Sequence, residues 1–217
     1  TTCTRITRYS SIDSNKLSSV RGHFMGLSKQ AKILSRKQVE VVSRYLLGRR
    51  NGLRDLTIFL LSIKAGLRAK EIANLRWSMV LGSDGEISEL INLTNLASKG
   101  KSGRIIPLNK DLRTVLTELY ERKRVRSGFD LSKSYVVRTE RADRTSPQAV
   151  VNKFHVWYQD LGLIGCSSHS GRRTFITNSA RKISTVGGSL RDIQFLAGHS
   201  SLQTTQRYIE GDSEARR

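Results

Sequence analysis

No apolar run in this chain is long enough to cross a bilayer. A spanning helix needs roughly 18 or more such residues, and the longest candidate, Leu56 to Ile63, is interrupted by Thr57 and Ser62. No transmembrane or signal segment is readable. Cysteine is nearly absent: Cys3 and Cys166 stand far apart without metal-ligand spacing, so neither a zinc site nor a disulfide framework is supported, and a reducing, intracellular (cytoplasmic) location is expected. Aromatic residues make up only 6% of the chain, which argues against a single-strand binder that depends on stacked bases. Acidic residues are also scarce, 18 against 38 Lys plus Arg. No internal repeat is visible.

What remains is a basic chain of 217 residues, long enough for one substantial core, with a formal charge of +20 spread along its length. Small domains tuned only for solubility carry net charges of about 2 to 8 in magnitude. The excess therefore points to a polyanionic partner, and with so few aromatics double-stranded DNA suits it best. An anionic membrane surface is the weaker alternative.

Residues 1–31 are rich in Ser, Thr, Arg and Lys and read as a flexible basic arm or linker. Because the chain starts without Met, a processed or truncated piece is expected. Ser35 with Gln38 predicts a capping box opening a helix through Val39, Val42 and Leu46. Leu53, Leu56, Phe59, Leu60 and Ile63 recur at helical spacing up to the terminator Gly66, and a short helix is expected over Ala69 to Arg76. The period then changes. Met79 to Leu81, Ile87 to Leu93 and Arg104 to Leu108 are short, partly β-branched runs between glycine-rich turns, which predicts a small antiparallel sheet. Helices follow over Asp111 to about Arg126, from Ser146-Pro147 to Asp160, and over approximately 170–182, 189–197 and 201–210. The expected fold class is mixed α/β, mainly α-helical.

The residues able to carry chemistry gather near the end. His169 and Arg172, three apart, share one face if helical and can touch a single anion. His199 follows Gly198 at a helix end, and Tyr208 lies on the next helix. Packing these short elements together would unite a tyrosine oxygen, two imidazoles and a guanidinium, the groups needed to attack a phosphodiester and hold its charge. Alone, His-x-x-Arg describes an ordinary solvated basic face.

Four segments in order carry a resemblance to a known family. Gly66-Leu-Arg68-Ala-Lys-Glu71 through Trp77 resembles the first arginine motif of the tyrosine recombinases, or phage integrases. Ser98-Lys99-Gly-Lys101-Ser-Gly-Arg104-Ile-Ile-Pro107 resembles their lysine hairpin. His169-Ser-Gly-Arg172-Arg173-Thr174 resembles the second arginine motif, and Leu196-Ala-Gly198-His199 through Tyr208 the terminal one.

This resemblance implies a tyrosine-recombinase-type catalytic domain over residues 32–210 with a short tail, 211–217, and a site-specific recombinase of mobile-element type. Tyr208 would attack the scissile phosphate, giving a 3′-phosphotyrosine and a free 5′-hydroxyl. Arg68 and Arg172 would stabilise the transition-state charge, as the planar guanidinium fork suits phosphate. Lys99 is the expected general acid, with Lys101 its competitor. His169 would assist proton removal from Tyr208 or orient the phosphate, His199 would donate to a nonbridging oxygen, and Glu71 would orient Arg68 or a histidine. Lys101, Arg104 and Arg173 are expected DNA contacts. No metal or cofactor is expected. A homotetramer on paired duplex sites is implied, and the short tail is compatible with a monomer in free solution.

The sequence departs from the family in places. Gly171 replaces an aliphatic residue, an expected loss of a core contact and of about 1 kcal/mol of helix propensity relative to Ala. Arg173 stands where a second histidine is common, and the arm is too short for the helical clamp domain of longer relatives. Rival readings are a type IB topoisomerase-like enzyme and a non-catalytic DNA-binding regulator on the same scaffold.

Overall fold

A computed structural model describes residues 30–98 and 102–210, and for residues 209 and 210 the backbone only. Lys99, Lys101, the tail 211–217 and all but the last two residues of the expected arm lie outside the described residues. From Ala31 onward the described chain belongs to one compact unit.

Eight helices and one two-stranded sheet build it: α1 (Arg36–Leu47), α2 (Gly52–Ala65), α3 (Ala69–Asn74), β1 (Leu90–Leu93), β2 (Arg104–Pro107), α4 (Lys110–Arg124), α5 (Pro147–Asp160), α6 (Ser170–Ile183), α7 (Leu190–Ala197) and α8 (Leu202–Glu210). The predicted capping box closes the start of α1, where the Ser35 hydroxyl accepts from the Gln38 amide and the Gln38 side chain accepts from Ser35 N–H. At α5 the Ser146 hydroxyl accepts from the Ala149 amide, with Pro147 in the first turn, where its missing N–H costs nothing.

Helix α2 is the central element. It is buried on nearly all sides and packs against α1, α4 and α6. Its charged exception among the buried residues, Asp55, is paired with Arg54 and Lys153, each at 3.0 Å. The main core gathers Phe59, Trp77, Phe154 and Trp157 with the aliphatic residues of α2. A second, smaller core of Ile176, Ile193 and Ala197 holds α6, α7 and α8 together, with Phe175 and Tyr208 packed against it.

The sheet is smaller than expected. β1 and β2 pair antiparallel with Ile91 opposite Ile106, but Met79 to Leu81 is not a strand. Trp77–Met79 forms a 3-10 turn instead, and only the bridge between Leu81 and Ile87 remains of the predicted pairing. Local bonds from the Met79, Val80 and Leu81 amides to the Arg76 and Trp77 carbonyls replace a ladder. Helix α3 stops at Asn74, short of the predicted Arg76, because Leu75 and Arg76 pair in extended form with residues Tyr135 and Val136 far along the chain.

Gly171 proves to be a close-packing residue rather than a lost contact. A Cβ there would sit 2.4 Å from the buried Ser62 Oγ on α2 and 3.0 Å from Ser62 Cβ. Gly171→Ala is therefore expected to destabilise the fold by about 1–3 kcal/mol through overpacking, despite its better helix propensity. Ser62→Ala in the same chain should recover part of that loss. Denaturant unfolding of the two variants checks this, and an unchanged or raised stability for Gly171→Ala alone would contradict the packing argument.

Candidate active site

Two helix ends frame the site, and both are made by glycine. α2 ends at Gly66 and α7 at Gly198, each in the left-handed conformation, with φ of 65° and 62°. Glycine is needed there for space as well as for φ: a Cβ on Gly66 would lie 2.4 Å from the Phe175 ring, and one on Gly198 would lie 2.9 Å from Arg104 Nη1.

A helix C-terminus leaves carbonyls without intrahelical donors and carries a partial negative charge. Arginines from three other elements answer this at α7. Arg104 on β2 donates through Nε to the Leu196 carbonyl at 2.8 Å. Arg172 on α6 donates through Nη2 to the Ala197 carbonyl at 2.5 Å, and Arg68, which caps α3, donates through Nη2 to the Gly198 carbonyl at 3.2 Å. Three consecutive carbonyls thus collect three guanidiniums immediately before His199. Arg172 also donates to the Gly66 carbonyl at 2.6 Å, so a single fork ties the ends of α2 and α7 together.

Glu71, fully buried on α3, holds the cluster from the other side. One carboxylate oxygen accepts from Arg68 Nη1 at 2.8 Å and Arg104 Nη1 at 3.0 Å; the other accepts from the Arg68 backbone N–H at 2.8 Å and Arg104 Nη2 at 3.1 Å. Burial pushes this carboxyl up, but the bonds and charge of Arg104, followed by those of Arg68, outweigh it and hold Glu71 below the usual carboxylate range. Burial, then the charge of Arg68, pulls Arg172 down to about 10, with Glu71 opposing. Arg172 therefore remains a cation at neutral pH, although only 2% of it is exposed.

His199 lies over this cationic floor. Its backbone N–H donates to the Gln194 carbonyl, its Nδ1 is 2.9 Å from the Thr205 hydroxyl, and its ring stacks on Tyr208 with centroids 5.2 Å apart. Burial, then Arg172, Arg68 and Arg104, pulls its pKa down to about 4, so the ring is neutral at working pH. A neutral imidazole has one N–H, and Nε2 carries it when Thr205 supplies the hydrogen to Nδ1. Tyr208 is half-buried, and its phenol is close enough for its charge to bear on Arg172. His169 caps α6 from the surface, and crowding by the protein, then Arg172 and Arg68, lowers its pKa as well.

The fold thus brings Arg68, Glu71, His169, Arg172, His199 and Tyr208 to one place. Two of the expected DNA contacts are turned into the protein instead. The Arg104 side chain is only 6% exposed, and every bond described for it goes to protein groups. Arg173 is also buried and donates to the Ala31 carbonyl at 2.9 Å, tying the start of the described chain to α6. Thr205, fully buried, is a site residue that sequence reasoning passed over.

Fold and site together define a helical domain that concentrates guanidiniums, imidazoles and a phenol at the ends of α2 and α7. Residues 32–214 match the phage integrase family, and the chain belongs to it. Tyrosine recombinase XerC of Proteus mirabilis is 29% identical over 159 residues, covering 73% of this chain and 48% of that protein. Tyrosine recombinase XerA of Thermococcus onnurineus (strain NA1) is 33% identical over 165 residues, covering 72% and 51%. The chain thus spans about half the length of these curated relatives. Among solved structures, XerA recombinase has the same fold with a TM-score of 0.68 at 22% identity, covering 85% of this chain and 60% of that one. The Tn1549 transposon integrase in complex with circular intermediate DNA has a TM-score of 0.64 at 17% identity, covering 87% and 65%. No helix among the described residues is long and apolar enough to cross a membrane.

Proposed function

We propose that residues 32–210 form the catalytic domain of a site-specific recombinase that cleaves and rejoins duplex DNA through a 3′-phosphotyrosine, with residues 1–31 a basic arm and 211–217 a short tail. The convergence of Arg68, Arg172, His199 and Tyr208 on one small volume carries this reading. The Tyr208 oxygen bonds to phosphorus as the bond to the 5′-oxygen breaks. Neutral His169 takes the phenolic proton, and Lys99, outside the described residues, returns one to the leaving oxygen. Arg68 and Arg172 face the negative charge that accumulates on the nonbridging oxygens, and His199 adds a neutral donor. Guanidiniums supply the charge stabilisation, so neither metal nor cofactor has a step in this scheme. The expected partner is intracellular duplex DNA, with a homotetramer on paired sites.

The preferred sequence is found by covalent capture on a randomised library of nicked duplexes. A plasmid bearing two copies of it should then yield recombinant products in the presence of EDTA. Relaxation of a site-free plasmid without recombinants would favour a topoisomerase-like enzyme instead, and binding without any adduct would favour a regulator.

A further inference from the structure

Arg104 occupies an unusual position for a basic residue in a protein of this charge. It stands at the start of β2, yet its side chain points inward and is 6% exposed. Its donors are divided among three elements: Nε to the Leu196 carbonyl on α7, Nη1 and Nη2 to the two oxygens of Glu71 on α3, and Nη1 to the Ser102 carbonyl within its own hairpin. Gly198 lies against the same guanidinium. A planar fork satisfies this geometry; an ammonium, with one nitrogen, cannot reach both the carboxylate and a helix carbonyl behind it.

We propose that Arg104 is a positioning residue that locks the β1–β2 hairpin to the last turn of α7 and, through Glu71, fixes the orientation of Arg68. The hairpin, His199 and Arg68 then meet the phosphate as one rigid frame. The proposal rests on the recombinase reading for its catalytic consequence but not for its structural one. Freed from Arg104, α7 loses the donor to its Leu196 carbonyl, and the buried Glu71 keeps only Arg68 against desolvation. The Glu71 carboxyl must then rise and take up a proton at a higher pH than in the wild type, releasing its hold on Arg68.

Two measurements decide the matter, made on Arg104→Met and on Arg104→Lys, which keeps the charge should the first fold poorly. Hydrogen–deuterium exchange, which needs no DNA, should show amides of the Leu196–Tyr208 segment exchanging about tenfold or more faster in both variants, while α1 and α5 are unchanged. Protection equal to the wild type would overturn the proposal whatever the chain's activity. Single-turnover cleavage of a captured duplex should fall by about tenfold or more with DNA affinity nearly retained. The variants' rate should also fall further toward acid, a limb absent from the wild type over the same range and absent again when Glu71→Gln is added to Arg104→Met. A loss of affinity matching the loss of rate would make Arg104 an ordinary DNA contact and overturn the proposal, as would an acid limb that survives in the double variant. Failure of the wild type itself to form an adduct counts against the recombinase reading and leaves the exchange result to decide the coupling.

Discussion

Tyr208→Phe should abolish covalent capture of a nicked duplex while binding that duplex within about twofold of the wild type, because only one atom leaves and that atom is the proposed nucleophile. The ring itself has two structural tasks, packing against the core of Ile176, Ile193 and Ala197 and stacking on His199. Phenylalanine keeps both. The described bond at this residue's backbone, from the Thr177 hydroxyl to the Tyr208 carbonyl at 3.4 Å, does not involve the phenol. Thermal stability should therefore change by no more than about 0.5 kcal/mol, as for a substitution that leaves packing intact. Loss of adduct in a protein that folds and binds normally is then chemical in origin. Any adduct formed by Tyr208→Phe would assign the nucleophile to another residue.

Arg172→Lys should lower the single-turnover cleavage rate by on the order of 10²–10³, the usual effect of removing one preorganised donor from a transition-state oxygen. Charge is retained, so the loss reports geometry. The Arg172 fork spans the Gly66 carbonyl at the end of α2 and the Ala197 carbonyl at the end of α7. A lysine nitrogen can satisfy one of these helix ends but not both, and the abandoned carbonyl is left buried at a cost of about 1–3 kcal/mol. The variant should consequently unfold at lower denaturant as well as cleave slowly. Arg172→Ala goes further, removing a buried cation from among Glu71 and two helix C-termini, and is expected to cost about 3–5 kcal/mol in folding. This is why the lysine variant is the cleaner probe. Cleavage by folded Arg172→Lys at close to the wild-type rate would remove the guanidinium from the chemistry.

Much of this arrangement is legible in the sequence, and the reasons differ from residue to residue. Ser35 with Gln38, Ser146-Pro147 and Gly66 act within one turn of chain, so their caps are local and readable. His169 and Arg172 declare a shared location by their spacing. Arg68 and Tyr208 do not, since Arg68 reaches the Gly198 carbonyl only across the fold and Tyr208 joins the site by packing on the core of α6 and α7. Their placement came from resemblance to a family, and the structure supplies the physical reason: three orphan carbonyls of α7 attract three guanidiniums.

A basic residue in a basic chain reads as surface, whereas Arg104 is buried with its fork on Glu71 and the Leu196 carbonyl. The corrective signal was present in the alternation of β2, where Arg104 shares a face with the buried Ile106 while Ile105 is exposed. Gly171 departs from expectation for a related reason, since propensity measures an isolated helix and says nothing of Ser62 on the neighbouring one. The strand expected over Met79 to Leu81 failed where local bonding from Trp77 and long-range pairing of Arg76 with Tyr135 competed with it.

Tyr208 is the proposed covalent carrier of a cleaved strand, and that role underlies every other assignment at the site. It is tested most directly by trapping the wild-type chain on a nicked duplex that cannot be religated, digesting the adduct, and locating the attached nucleotide by mass spectrometry. The expected product is a 3′-phosphate ester on the peptide containing Tyr208, with a free 5′-hydroxyl on the released strand. An adduct mapped to any other residue, or a 5′-phosphate linked to the protein, would contradict it.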